Sequence, residues 1–268
     1  MKVAAVQMVS GPQWADNLAQ ARQGVEQAAR AGAQLVVLPE YFCFMGQRDA
    51  DKLALAERPG DGPIQSALAD MARECGVWLV GGTLPMATDD PLHVANASVV
   101  FDPQGRALSR YDKIHLFRFD NGRESYDESA VLTAGDTPTA WDLPDPTGHT
   151  WRVGMSICYD LRFGELYRAL AADVLLVPAA FTHTTGQAHW EVLLRARAIE
   201  NQAYVIASAQ GGTHENGRRT WGHSMVIDPW GEVLAVHADG PGVAVADIDP
   251  ARLRAVRTQL PALQHRRL

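Results

Sequence analysis

Basic charge is scarce in this sequence. Its 24 Lys and Arg stand against 31 Asp and Glu, for a formal net charge of −7 over 268 residues. That balance argues against electrostatic binding to nucleic acid, and the pair Arg266–Arg267 is too short a basic cluster to change it. Long apolar runs are also missing: none approaches the roughly 20 residues that a membrane-spanning helix needs. The opening "MKVAAVQMVS" meets Pro12, Trp14 and Asp16 too soon for a signal-peptide core. Cysteine is sparse, and Cys43, Cys75 and Cys158 form neither an even set nor a metal-like or redox-like spacing. The nine histidines show no ligand spacing such as H-E-x-x-H. "VGG" (80–82) and "QGG" (210–212) lack both the P-loop lysine and the dinucleotide glycine spacing. The expectation is a cytoplasmic protein in a reducing compartment, with no metal, no cofactor, and no nucleic-acid or membrane partner.

What is present is ordinary globular material. Apolar residues make up 47% and charged residues 21%, enough to bury a large core. The length suits one large domain, and no Ser- or Pro-rich linker divides it, so 1–268 is read as a single domain. "KVAAVQM" and "QLVVLPE" read as buried strands on either side of a helix over 14–31, with Gly32 at its end. This β-α-β opening predicts a parallel pair. A second helix over 63–75 starts on Pro63 and stops at Gly76. Strands follow at "VWLVGGTLP", "ANASVVF" and "RALSRYDK". The stretch from Ile114 to Trp151 is polar and lacks a long periodic segment; a connection of that length is often functional.

The second half repeats this style. "WRVGMSI" is a strand, 163–172 a helix, "DVLLVPA" a strand, 189–202 a helix, and "YVIASAQ" a strand. "SMVIDPWGEVLAV" repeats the strand-turn-strand of "SVVFDPQGRALSR", with Asp-Pro-x-Gly at both turns. "GVAVADI" is a last strand and 250–259 a last helix. The fold class is α/β, in two similar layered halves.

Glu40 and Cys158 each follow an apolar strand, and Lys113 ends a hairpin strand. In open α/β sheets, strand ends are where sites are built. Each residue alone reads more simply as a loop charge, a surface lysine or a small buried hydrophobe. Together they form a chemical set. A thiolate attacks, and a nearby ammonium lowers a thiol's pKa. A carboxylate serves as general base, typically worth about 10²–10⁴-fold in rate. The ammonium and a backbone N–H after Cys158 hold an oxyanion.

"LPE", "YDKIHL" and "CYDLRFGE", in that order, resemble the Glu-Lys-Cys motifs of the carbon–nitrogen hydrolase (nitrilase) superfamily. The likeness runs from Lys2 to about Arg267 and includes "HWEVLLRARAIENQAYV", "GHSMVIDPWGEV" and "LPALQHRR". These phrases resemble its amidase branch, which contains omega-amidases and amidases of deaminated glutathione; "GHSMVIDPWG" and "QHRR" look closer to the latter. The resemblance implies a four-layer αββα sandwich and a homodimer or higher homo-oligomer. It implies an amidase that hydrolyses a linear carboxamide through a thioester. Glu40 would be the base, Lys113 the oxyanion cation and Cys158 the nucleophile, with the Tyr159 N–H completing the oxyanion hole. A second active-site glutamate is implied in the loop after the lysine; Glu124 and Glu128 compete, and the phrase around Glu128 fits better. Gly164 departs from the proline usual in "CYDxRFPE".

A substrate with a distal carboxylate calls for a cation, and Arg123 and Arg162 are the candidates. Phe181, Thr185 and His189 are further substrate-side candidates, with Phe181–Trp190 read as a loop; Trp190 lines the pocket or packs beneath it. Asp160 and Arg162 serve the elbow or the substrate. Arg195, Arg197 and Glu200 read as an ion-pair helix at a layer or subunit interface. Cys43 is a rival nucleophile only if Cys158 is not at a strand end, and Cys75 reads as inert. A non-catalytic binding protein on the same fold is the rival reading from a different class.

Overall fold

The computed structural model describes residues 1–267. The chain opens with β1 (Lys2–Gln7), α1 (Trp14–Arg30), β2 (Leu35–Val37), α2 (Pro63–Cys75), β3 (Trp78–Val80), β4 (Leu84–Ala87), β5 (Val94–Phe101) and β6 (Ala107–Asp112). A hairpin of β7 (Arg118–Asp120) and β8 (Ser125–Asp127) and the short β9 (Leu132–Thr133) follow. The second half holds β10 (Ala140–Pro144), β11 (Thr150–Met155), α3 (Gly164–Leu170), β12 (Val174–Ala179), α4 (His183–Asn201) and β13 (Tyr204–Ala209). It closes with β14 (Gly211–Thr213), β15 (Arg219–Trp221), β16 (Ser224–Ile227), β17 (Val233–His237), β18 (Gly242–Asp247) and α5 (Pro250–Gln259).

Two main sheets result. The first runs β18-β1-β2-β3-β5-β4, with β6 and β9 also on β5; the second runs β10-β11-β12-β13-β16-β17. β1 and β2 pair in parallel, as do β11, β12 and β13. Successive side chains on a strand face opposite ways, and the cores follow that alternation. Val3, Ala5, Leu35 and Val37 face the second sheet, in one core with Val153, Leu175 and Ile206. Ala4, Val6, Val36 and Leu38 face outward, against Ala21 and Val25 of α1 and Ile64 and Leu68 of α2. Each Val, Leu or Ile among them gives about 1.5–3 kcal/mol when buried. On the far side, Tyr167 of α3 and Trp190 and Leu194 of α4 cover the second sheet. The layers are helix, sheet, sheet, helix.

The two Asp-Pro-x-Gly turns share one construction. Asp102 Oδ1 accepts the N–H groups of Gln104 and Arg106, and Asp228 Oδ1 those of Trp230 and Glu232. Gly105 and Gly231 take φ of +78° and +88°, which a β-carbon would disfavour.

Two helix boundaries differ from the sequence expectation. α4 begins at His183, inside the stretch read as a loop, because Thr182 Oγ1 caps it by accepting from Thr185 N. Its Gly186, which looks like a loop residue, lies flat against Trp221; a β-carbon there would come within 2.2 Å of that side chain. The helix read over 163–172 is the shorter α3, preceded by a 3-10 turn at Cys158–Arg162 and ending where Ala171 adopts φ +48°.

Candidate active site

Three strand ends and one hairpin end converge. Glu40 lies just past β2, Cys158 past β11, Ala180 past β12, and Lys113 directly after β6. Lys113 Nζ donates to Glu40 Oε1 at 2.8 Å and to Glu128 Oε1 and Oε2 at 2.9 and 2.8 Å. Glu40 Oε1 also accepts from Asn96 Nδ2 at 2.9 Å, and its Oε2 from the Ala180 N–H at 2.9 Å. Glu128 further accepts the Tyr41 hydroxyl at 2.9 Å and the Phe117 N–H at 2.7 Å. Every oxygen of both carboxylates is thus held, which fixes their orientation.

Cys158 sits at φ +51°, in the left-handed region, at the break between β11 and the 3-10 turn. A non-glycine residue there costs of order 1–3 kcal/mol unless its surroundings enforce it. They do. Asp160, fully buried, accepts from the Ile157 N–H at 2.8 Å, the Tyr111 hydroxyl at 2.7 Å and the His115 N–H at 3.0 Å. Arg197 Nε donates to Leu161 O at 3.0 Å from α4. Asp160 and Arg197 therefore serve the elbow itself. Tyr41, beside Glu40, is likewise at φ +54°.

Burial pushes the Cys158 thiol well above its usual pKa, and the Glu40 carboxylate adds to this; the Lys113 ammonium pulls the other way without prevailing. This corrects the expectation of a lysine-lowered thiolate: with desolvation and Glu40 both opposing its charge, Cys158 rests as a neutral thiol. Burial alone would discharge Lys113, but Glu128 and Glu40 outweigh it and raise its pKa. Burial opposes the charge on Glu128, and Lys113 outweighs it, so its carboxyl stays below the usual range. Burial and the two carboxylates raise Tyr41, which keeps its proton and acts as a donor. The set can take a proton from a thiol and oppose a developing oxyanion without moving a side chain.

Two narrow compartments contain Cys158. One is bounded by Glu40, Glu128, Tyr126, Asp49 and Arg218. The other is bounded by Tyr159, Arg162, Phe181 and Thr185. Phe117, Ala180 and Thr182 line both. The Arg162 guanidinium lies 5.7 Å from the Tyr159 ring centre and 5.4 Å from that of Phe181. His189 is exposed, 3.3 Å from Arg162 through Nδ1, and lines neither compartment. Trp190 is fully buried and donates to His223 O, so it packs beneath. Arg123 is exposed and lines a wider cleft outside. Glu124 accepts from Thr184 Oγ1, away from Lys113, which decides the competition in favour of Glu128. Cys43 packs in the core under α1 and α2, its thiol pushed up to about 12 by burial. Among the described residues no cluster of His, Cys, Asp or Glu could hold a metal ion.

Sequence reasoning missed Tyr41, Asn96 and the Ala180 and Phe117 N–H groups. Asn96 left a signal, since an amide inside the otherwise apolar "VANASVVF" needs a buried partner. The main-chain donors left none.

The sequence profile of the carbon-nitrogen hydrolase family matches residues 2–258. A deaminated glutathione amidase of Yersinia enterocolitica is 43% identical, over 99% of this chain and 92% of its own. The human omega-amidase is 36% identical, over 99% and 95%. A solved structure of a mutant of the amidase from Nesterenkonia sp. AN1, showing covalent addition of the acetamide moiety of fluoroacetamide at its active-site cysteine, superposes with a TM-score of 0.82 at 28% identity. That likeness covers 100% of this chain and 94% of the other.

Proposed function

The chain belongs to the carbon–nitrogen hydrolase family, as an amidase-type hydrolase, and from that premise we propose that it hydrolyses a linear carboxamide by way of a thioester on Cys158. The observation that carries this reading is the buried contact of Glu40 with Lys113 beside Cys158. Glu40 takes the thiol proton as sulfur bonds to the amide carbon. Lys113 and the Tyr159 N–H oppose the charge on the carbonyl oxygen. Glu40 returns the proton to the departing nitrogen as the C–N bond breaks. Water then attacks the thioester, Glu40 takes its proton, and the C–S bond breaks to release the acid and restore the thiol. Glu128 orients Lys113.

The substrate we favour is deaminated glutathione, cleaved to 2-oxoglutarate and Cys-Gly; its support is likeness to relatives of that name over nearly the whole chain. Arg162, poised in the compartment with Phe181 and Thr185, is the cation for the acyl carboxylate. Omega-amidase action on 2-oxoglutaramate or succinamate is the second reading, supported by the human relative. The kcat/KM values on the two classes of amide separate them, because their ratio reports differential transition-state binding. Absence of acid release from every ω-amide in such a panel would leave a binding protein instead.

The proposal extends to one hydrolase domain over 1–268, acting as a cytoplasmic homodimer. Val192 and Ile199 of α4, with Trp230, Leu234 and Val236 around β17, are exposed apolar side chains that a second copy would cover. No helix among the described residues is long and apolar enough to cross a membrane.

A further inference from the structure

The two compartments around Cys158 are not equivalent. The one with Arg162 shares no lining residue with the outer cleft. The one with Glu128 is continuous with that cleft through Asp49, Tyr126 and Arg218. The outer cleft encloses about 480 Å³, against about 30 Å³ beside the catalytic carboxylates. An amide's two halves thus meet different surroundings, and of the two compartments the Glu128 side is the one that leads into the roomy cleft.

Arg218 stands where the inner compartment meets that cleft. Its guanidinium lies 4.8 Å from the Tyr126 ring centre, and its Nη2 is 3.7 Å from Asp49 Oδ1. Asp49 is shared with Lys52, also at 3.7 Å. The hydrogen bond its side chain makes is to Met45 Sδ, a weak acceptor, at 3.6 Å. A guanidinium with five donors is therefore fixed in place by stacking while most of its donor capacity stays unspent. Arg123 and Arg219 line the same cleft without an ion pair of their own among the described residues. The opposing carboxylates are Asp49 and Glu124, the latter engaged by Thr184. The wall is cationic in a chain that is acidic overall.

Resting on the amidase reading above, we propose that Arg218 is the specificity-determining residue for the leaving group: it binds the terminal carboxylate of a peptide-like amine product. An extended dipeptide reaches up to about 7 Å, and the inner compartment of about 30 Å³ is too small to hold one, which directs its carboxylate toward Arg218 at the mouth of the cleft. Arg123 and Arg219 draw the anion into the cleft. An ammonia leaving group would need none of this wall.

The experiment compares deaminated glutathione with its C-terminal carboxamide, in the wild type and in Arg218→Gln and Arg218→Lys. The wild type favours the acid in kcat/KM by about 10-fold or more, the size expected of a hydrogen-bonded charge. Arg218→Gln brings the acid-to-carboxamide ratio close to one, and Arg218→Lys keeps part of it. A second measurement needs no variant: with succinamate as the reporter substrate, Cys-Gly inhibits the wild type more tightly than Cys-Gly amide. A preference that survives Arg218→Gln, or equal inhibition by the two dipeptides, overturns the assignment while the amidase reading stands. A wild type that hydrolyses succinamate but not deaminated glutathione overturns both this inference and the substrate reading it rests on.

Discussion

The ammonium of Lys113 and the carboxylate of Glu40 meet at 2.8 Å with side-chain exposures of 0% and 1%. A pair this deeply buried is a costly way to stabilise a fold; removing its charges for apolar groups is often neutral or better. It makes sense as machinery, since a fixed ammonium and a fixed carboxylate need no reorganisation when charge develops beside them.

Among the described residues that line the two inner compartments, Cys158 is the one thiol, and Cys158→Ala removes it. Turnover is expected to vanish while the melting temperature moves by less than about 3 °C, the range of a small core change in a chain this size. Residual hydrolysis of the best ω-amide above the uncatalysed rate would contradict the assignment.

Cys158 and Cys43 both hold their protons above the ordinary thiol range. Iodoacetamide near neutral pH should therefore label Cys158 slowly, and faster only under alkaline conditions. The same shifts set an alkaline limit to the fold. Above about pH 8.5 the unfolded chain releases thiol protons that the native chain keeps. Lys113, also raised, adds to the loss as pH climbs past about 10.4. Urea midpoints should be level up to about pH 8 and then fall; rapid alkylation at pH 7, or a flat midpoint to pH 10.5, would count against this.

Glu128→Gln replaces one of two carboxylates on Lys113 and puts an amide donor against the Tyr41 hydroxyl or the Phe117 N–H. A loss of about 10²–10³-fold in kcat is expected, as for an electrostatic group of this kind. Glu128 is also the leading electrostatic cause of the raised Lys113 pKa, so the alkaline limb of the pH–rate profile should move to lower pH. An unmoved limb would mean that Glu128 does not hold the lysine. On the acid side, Glu128 contributes stability above the ordinary carboxyl pKa of about 4.3 that is lost as pH falls below it.

Gly164→Pro should stabilise the protein. Gly164 is the first residue of α3, Phe163 before it is extended at φ −108° and ψ 89°, and the nearest atoms a β-carbon would meet are the side-chain ends of Arg197 and Glu200 at 3.4–3.5 Å. The gain should be about 0.4–1 kcal/mol, or about 1–4 °C in Tm. A lower Tm would show that the turn before α3 needs its glycine.

Much of this was legible because strands and chemistry coincide in the chain. Apolar runs ending in Glu40 and Cys158 announced both the parallel strands and the site at their ends, and paired Asp-Pro-x-Gly turns announced the two halves. The start of α4 was hidden because its first turn is polar and contains Gly186, whose reason is the Trp221 ring from a distant hairpin. The resting state of Cys158 was hidden for a similar reason: residue types show that a lysine is near, but only burial decides that desolvation outweighs it. Arg218, at the end of a polar turn, carries no local mark of facing the cysteine compartment.

Glu40 and Lys113 come from the first sheet, while Cys158 and the Ala180 N–H that steadies Glu40 come from the second. Between them runs an exposed connection at 134–139. Severed there, the chain would yield two fragments, neither able to acylate itself. Their reunion would require β18 of the later fragment to find β1 of the earlier one, an antiparallel pairing from Lys2↔Asp247 to Gln7↔Gly242. Amide hydrolysis would then report on complementation, with the catalytic distance itself as the gauge of correct assembly.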